Sequence, residues 1–182
     1  MAKTTNRGRV WVLLGPAGKL IEDIDTDQIY HNAFLHLTEL AEMGRYALGN
    51  LEGWKDFATR ARAGDMVVAG RNFGAGSSRQ QAVDCFIALG VGAVIAPSFA
   101  SIYFRNAVNS AFPALRSGEL EELVGSKGLE TGDEVKVNFV TGEAINLTKE
   151  TAFRVEPMGP VQREIYEKGG LFGFGKDHGG RS

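Results

Sequence analysis

Apolar residues fall in three kinds of run along this chain, and each kind predicts a different element. Arg9-Val10-Trp11-Val12-Leu13-Leu14 is almost wholly apolar, as a buried strand would be, and Gly15-Pro16 stops it. Residues 65–69, 92–96 and 113–115 are short runs of the same kind. Between them lie helices at about 78–89, closed by Gly90, and at about 99–109, opened by Pro97-Ser98. This β-α-β-α-β order predicts parallel strands joined by right-handed helical crossovers. A looser helical spacing joins Leu37, Leu40, Ala41, Tyr46, Ala47 and Leu48. Residues 133–140 alternate polar and apolar, as does the segment after Thr141-Gly142-Glu143, which predicts a hairpin. A last helix is expected near 161–168, ended by Gly169-Gly170. Residues 49–63 read as a polar connection carrying Trp54 and Phe57, and residues 173–182 as a mobile tail. The expectation is one mixed α/β domain over residues 1–182, its ordered core at about 8–172, with helices on only one side of its sheets.

Composition narrows the function classes. Hydrophobic residues at 43% and charged residues at 23% are ordinary for a soluble globular domain. A net charge of −2 gives no general attraction to nucleic acid or to an acidic membrane. No apolar run is long enough to cross a membrane and the N-terminus lacks a secretory core, so cytoplasm is the expected location. Glycine, with 24 residues in 182, has nearly twice its usual share, which points to many tight turns. Cys85 is the only cysteine, so this chain has no intrachain disulfide and no ligand set for an iron–sulfur cluster of its own. Its place within an apolar helix pattern reads as buried filler.

The candidate chemistry lies in Gly70-Arg71-Asn72-Phe73-Gly74-Ala75-Gly76-Ser77-Ser78-Arg79, at a strand-to-helix turn. Glycines there let the backbone bend and approach a ligand closely. Two serine hydroxyls, a guanidinium and a helix start expected near Ser78 suit a carboxylate or phosphate. The segment is not a P-loop, because Ser77 stands where the lysine is required. Nor is it a dinucleotide fingerprint, because Arg79 stands where the third glycine belongs. A serine that simply caps the helix is the alternative reading.

Asn72-Phe73-Gly74-Ala75-Gly76-Ser77-Ser78-Arg79, residues 93–102 (A-V-I-A-P-S-F-A-S-I) and Arg105-Asn106 together resemble the swivelling domain of the aconitase family. Asp25-Thr26-Asp27-Gln28-Ile29, about 50 residues before Ser77, resembles that domain's D-T-D-x-I element. The likeness spans about residues 8 to 175, and its stand-alone format resembles the small subunits of isopropylmalate dehydratases and their homoaconitase relatives. It implies a three-layer β/β/α swivelling domain with a mixed sheet. It also implies a cysteine-bearing large subunit holding a [4Fe–4S] cluster, in a heterodimer or heterotetramer, and a small di- or tricarboxylate substrate. This chain itself would bind no cofactor and no metal.

By that resemblance the reaction removes and re-adds water, with the cluster's open iron as Lewis acid. Ser77 would be the base, acting as an alkoxide. Ser78 would hydrogen-bond a substrate carboxylate, Arg79 would pair with one bidentately, and Gly76 would line the site. Asp27 matches the family's aspartate and would orient the serine loop or a cation; a turn aspartate bonded to local backbone is its plainer reading. The family's substrate-selecting loop falls on Phe34, Leu35, His36 and Leu37, or with a small shift ends at Thr38. Its usual arginine has become His36, and residues 10–44 contain no arginine, so a cation for a third carboxylate is missing. Phe34, Leu35 and Leu37 favour an apolar substituent, and His36 offers a hydrogen bond or a conditional charge, or is a partly exposed loop histidine. Gln80 replaces a common acid, Ser101 replaces a common arginine, and Arg105 is retained, with a structural ion pair as its plainer reading.

The resulting expectation is the small subunit of a hydro-lyase, with isopropylmalate in leucine biosynthesis as substrate. A methyl-substituted malate or homoaconitate is the alternative within the family, and a non-catalytic anion-binding or regulatory module the alternative outside it.

Overall fold

The computed structural model describes residues 3–178. A first strand, β1 (Thr5–Val12), is shared between two halves of one seven-stranded sheet. Its C-terminal residues Val10, Trp11 and Val12 pair in parallel with β2 (Met66–Val68), which pairs with β3 (Ala93–Ala96), and that with β4 (Ala114–Arg116). Its N-terminal residues Thr5–Arg9 pair antiparallel with β5 (Glu134–Asn138), followed by β6 (Glu143–Asn146) and β7 (Thr151–Arg154). The two halves part company where Gly8 crosses Gly64: a Cβ at Gly8 would lie 2.0 Å from the Gly64 carbonyl oxygen, so only glycine fits.

Alternation along the parallel strands builds two cores. Trp11, Leu13, Val67, Ala69, Val94 and Ala96 face one side, with the helices α4 (Gln81–Leu89) and α5 (Ser101–Asn109). Val10, Val12, Met66, Val68, Ala93 and Ile95 face the other, where Val135, Val137, Ala144 and Phe153 of the antiparallel half cover them. The layers are therefore helix, parallel sheet, antiparallel sheet. That is the β/β/α arrangement expected, and the hairpin of β5 and β6 lies where the alternation put it.

Three features correct the sequence reading. The short helix α6 (Leu120–Gly125) buries Leu120 in the second core, so helices are not confined to one side. Residues 49–63 are more than a polar connection: Phe57 opens α3 (Phe57–Arg60) and is fully buried against Trp11. The region of residues 37–48 forms only the short α2 (Leu40–Met43) and a 3-10 turn. After α7 (Pro160–Glu167) the chain forms a further helix, α8 (Leu171–His178); residues 179–182 of the expected tail lie outside the described residues. Among the described residues no helix is long and apolar enough to cross a membrane.

Candidate active site

The loops leaving the C-terminal ends of β1 and β2 converge, and hydrogen bonds sew them together. After β1 the chain turns into α1 (Thr26–Ile29), which Asp25 starts with a reciprocal capping box: its carboxylate accepts from the Gln28 amide at 2.8 Å, and the Gln28 side chain accepts from the Asp25 amide at 3.0 Å. After β2 the glycine loop lies against this first turn. The Gly74 amide donates to the Ile24 carbonyl at 2.8 Å, the Thr26 amide to the Ala75 carbonyl at 2.9 Å, and the Thr26 hydroxyl to the Ser77 carbonyl at 2.9 Å. Gly74 and Gly76 hold φ of +84° and +90°, a region that glycine enters without steric cost.

This stitching decides where the site residues point. The Ser77 backbone is tied down, while Ser77 and Ser78 are exposed and neither hydroxyl hydrogen-bonds any described residue. Neither serine caps a helix. The helix after the loop begins at Gln81, three residues later than expected, with Gln80 at its N-cap and no side-chain cap bond. The helix terminus is thus displaced from Ser77, and the cation nearest in sequence to the serines is Arg79.

Arg79 turns back toward α1 and is 11% exposed. Its Nη1 donates to Asp27 Oδ1 at 2.9 Å and to the Tyr30 carbonyl at 2.8 Å. Its Nε and Nη2 bond no described residue, so the side of the guanidinium that can grip a carboxylate with two parallel bonds is free. Asp27 Oδ1 also accepts from the Asn32 amide at 2.9 Å, and Oδ2 from Asn50 Nδ2 at 3.1 Å. The Asn32 amide holds the Asp27 carboxyl below its ordinary range; Arg79 and the field of His31 help, outweighing partial burial.

The segment after α1 divides in two. The Phe34 ring stacks on Tyr46 at 3.8 Å and packs edge-on to Tyr30, so it faces the protein; Leu37 is half-buried. Leu35, His36 and Thr38 are exposed, and the His36 ring lies 3.0 Å from the Ala33 carbonyl through Nδ1. Gln80 bonds Asp84 and Ser110, Ser101 is exposed at the start of α5, and Arg105 makes no ion pair with any described residue. Two residues that no motif marked belong to the constellation: Tyr30, through its carbonyl, and Asn50.

Two concavities nearby, of about 750 and 660 Å³, are lined by Pro16, Gln28 and Leu51 and by Lys19, Glu22 and Glu121; neither reaches Ser77, Ser78 or Arg79. The serine loop is an open surface. Among the described residues no group of three or more His, Cys, Asp and Glu side chains is placed to hold a metal ion. Cys85 is fully buried on α4, where burial pushes its thiol far up. These donors do not fit an iron–sulfur cluster carried by this chain.

Residues 20–118 match the family of the aconitase C-terminal domain. The chain is 42% identical over 165 residues to the 3-isopropylmalate dehydratase small subunit of Caldicellulosiruptor saccharolyticus, covering 91% of each chain. It is 40% identical over 163 residues to 3-isopropylmalate dehydratase small subunit 1 of Archaeoglobus fulgidus, covering 90% of this chain and 96% of that one. The crystal structure of 3-isopropylmalate dehydratase (LeuD) from Methanocaldococcus jannaschii superposes with a TM-score of 0.83 at 31% identity, over 96% of this chain and 95% of that one. By domain, sequence and architecture together, this chain belongs to the aconitase C-terminal domain family, among its 3-isopropylmalate dehydratase small subunits.

Proposed function

We propose that this chain is the small subunit of a cytoplasmic hydro-lyase that interconverts 2- and 3-isopropylmalate in leucine biosynthesis. Its partner is a cysteine-bearing large subunit with the [4Fe–4S] cluster. The observation that carries the reading is Arg79, fixed by Asp27 and Tyr30 with its Nε/Nη2 edge free, beside two exposed and unpaired serine hydroxyls. That arrangement suits a carboxylate whose neighbouring C–H must lose a proton. Arg79 takes one carboxylate by two parallel bonds and Ser78 adds a third. Ser77 accepts the proton, and the Arg79 charge two residues on favours its ionised form. The open surface is closed to water by the large subunit. The exposed Leu35 lies beside His36, where an arginine would select a third carboxylate, and this favours the branched alkyl substituent.

The test is anaerobic purification of the complex through a tag on this chain, followed by assay on isopropylmalate, methylmalate and homoaconitate. Isopropylmalate turnover that Ser77→Ala lowers by about 10³-fold or more, with the complex intact, is the expected result. Near-parental kcat in Ser77→Ala would remove Ser77 as the base. Recovery of the chain without partner or iron would favour a non-catalytic anion-binding module.

A further inference from the structure

Asn50 lies in the segment between α2 and α3, in a turn that no motif marks. The turn is set by Leu48, fully buried with φ of +56°, whose amide donates to the Ile29 carbonyl at 2.8 Å. From there Asn50 Nδ2 reaches Asp27 twice, at 3.1 Å to Oδ2 and at 3.3 Å to the backbone carbonyl. Both neighbours are acceptors, so the amide nitrogen must face them, and the orientation of the Asn50 side chain follows.

The pieces form a chain of contacts, from Asn50 to Asp27 Oδ2, from Asp27 Oδ1 to Arg79 Nη1, and from Arg79 Nη1 to the Tyr30 carbonyl. With Asn50 on Oδ2 and the Asn32 amide on Oδ1, turning the carboxylate to offer both oxygens to Arg79 would give up a hydrogen bond. A two-point grip by Asp27 would consume the guanidinium edge that a substrate carboxylate needs. One oxygen for Arg79 and one for Asn50 holds the arginine and leaves that edge open. A neutral amide does this without adding charge. An acid at position 50 would face Asp27 Oδ2 across the same gap and favour a shared proton. The other charged or titratable groups facing Asp27 are Arg79 from the glycine loop and His31 from the turn after α1.

We infer that Asn50 is a positioning residue of this site: it divides the oxygens of Asp27 so that Arg79 is held by one nitrogen and keeps its Nε/Nη2 edge for a substrate carboxylate. This rests on the proposed function for its kinetic consequence, but its geometry belongs to the isolated chain. Two readouts separate the two claims.

The first is carbon-detected NMR titration of the Asp27 carboxyl in the full-length isolated chain, parent against Asn50→Asp and Asn50→Ala. Asn50→Asp is expected to raise the Asp27 midpoint by about one pH unit or more, and Asn50→Ala to move it upward by less. The second is steady-state kinetics of the complex with the large subunit. Asn50→Ala is expected to raise KM about 10-fold with kcat within about threefold, and Asn50→Asp to move the acid limb of kcat/KM upward with the NMR midpoint. A side chain that only stabilised the turn would lower the melting temperature and scale activity equally at every pH. An Asp27 midpoint unchanged in both variants, or a parental KM in Asn50→Ala, overturns the inference. If the NMR shift occurs and the parent complex has no dehydratase activity, the positioning stands and the proposed function fails.

Discussion

Arg79 reaches back 52 positions along the chain to meet Asp27, Nη1 to Oδ1 at 2.9 Å, and the pair joins the two loops that carry the candidate chemistry. The guanidinium is 11% exposed and the carboxylate 39%, so the contact sits at the edge of the protein. As an isolated surface ion pair it would stabilise the fold by no more than about 1 kcal/mol. What the pair does is occupy Nη1, leaving Nε and Nη2 without a hydrogen-bond partner among the described residues.

Arg79→Lys tests that free edge. A lysine retains the charge and can still meet Asp27, but a single ammonium has no second planar edge. The loss of one charge-assisted bond of about 1.5–3 kcal/mol predicts a roughly 10- to 150-fold rise in KM for the reconstituted complex. Circular dichroism and melting temperature should stay near parental. Steady-state kinetics on isopropylmalate decide the matter, and a KM within twofold of the parent would show that Arg79 does not grip substrate by two bonds.

The glycine loop makes a separate prediction about packing. Gly74 and Gly53 hold nearly the same φ, +84° and +82°, so alanine at either site meets the same backbone strain. Their surroundings differ. A Cβ at Gly74 would lie 2.2 Å from Cγ of Tyr103, a fully buried ring packed between Phe73 and Phe99, whereas nothing stands within 4 Å at Gly53. Gly74→Ala should therefore be less stable than Gly53→Ala by about 1–3 kcal/mol, the cost of overpacking. For a chain of this size that is a further fall in melting temperature of roughly 2–12 °C. Equal melting temperatures for the two variants would mean that Tyr103 yields and does not fix the loop.

What the sequence could reveal depended on whether residues carried a local signal. Gly74, Gly76 and the serines were legible because few structures need that combination, and the parallel block because its apolar runs are bounded by Gly and Pro. The start of α4 was misplaced because Ser78 has the chemistry of an N-cap. The Thr26 hydroxyl instead holds the Ser77 carbonyl and Arg79 turns to Asp27, so the backbone stays irregular to Gln80. Helix α6 left a trace in the i, i+3, i+4 spacing of Leu120, Leu123 and Val124, whereas β7 is only four residues long. Asn50 had no local trace. Its role comes from Leu48 folding the chain back onto α1, a long-range contact that no spacing encodes.

Asp65 anchors the other end of the parallel sheet, just before β2. Its side chain is 5% exposed, yet it stays ionised among donors: Arg9 Nη2 at 2.7 Å, Trp11 Nε1 at 2.8 Å and the Arg62 amide at 3.0 Å, all on Oδ2. Burial alone would raise its pKa, but the bonds from Arg9, Trp11 and Arg62 outweigh it and hold the carboxyl below its ordinary value. A folded-state pKa below the unfolded value of about 3.9 stabilises the native state above that pH, and the contribution is lost as pH falls through the lowered folded value. Asp65→Asn keeps the shape, but its amide puts a donor among donors and gives up the charge opposite Arg9. It should cost about 2–4 kcal/mol at pH 7. Because the parent loses its own advantage on protonation, the gap between parent and variant should narrow as pH falls below about 4. Urea unfolding of both chains from pH 7 to pH 2.5 measures this directly. A gap that stays constant over the whole range would mean that the Asp65 charge contributes nothing and that Asp65→Asn acts through packing alone.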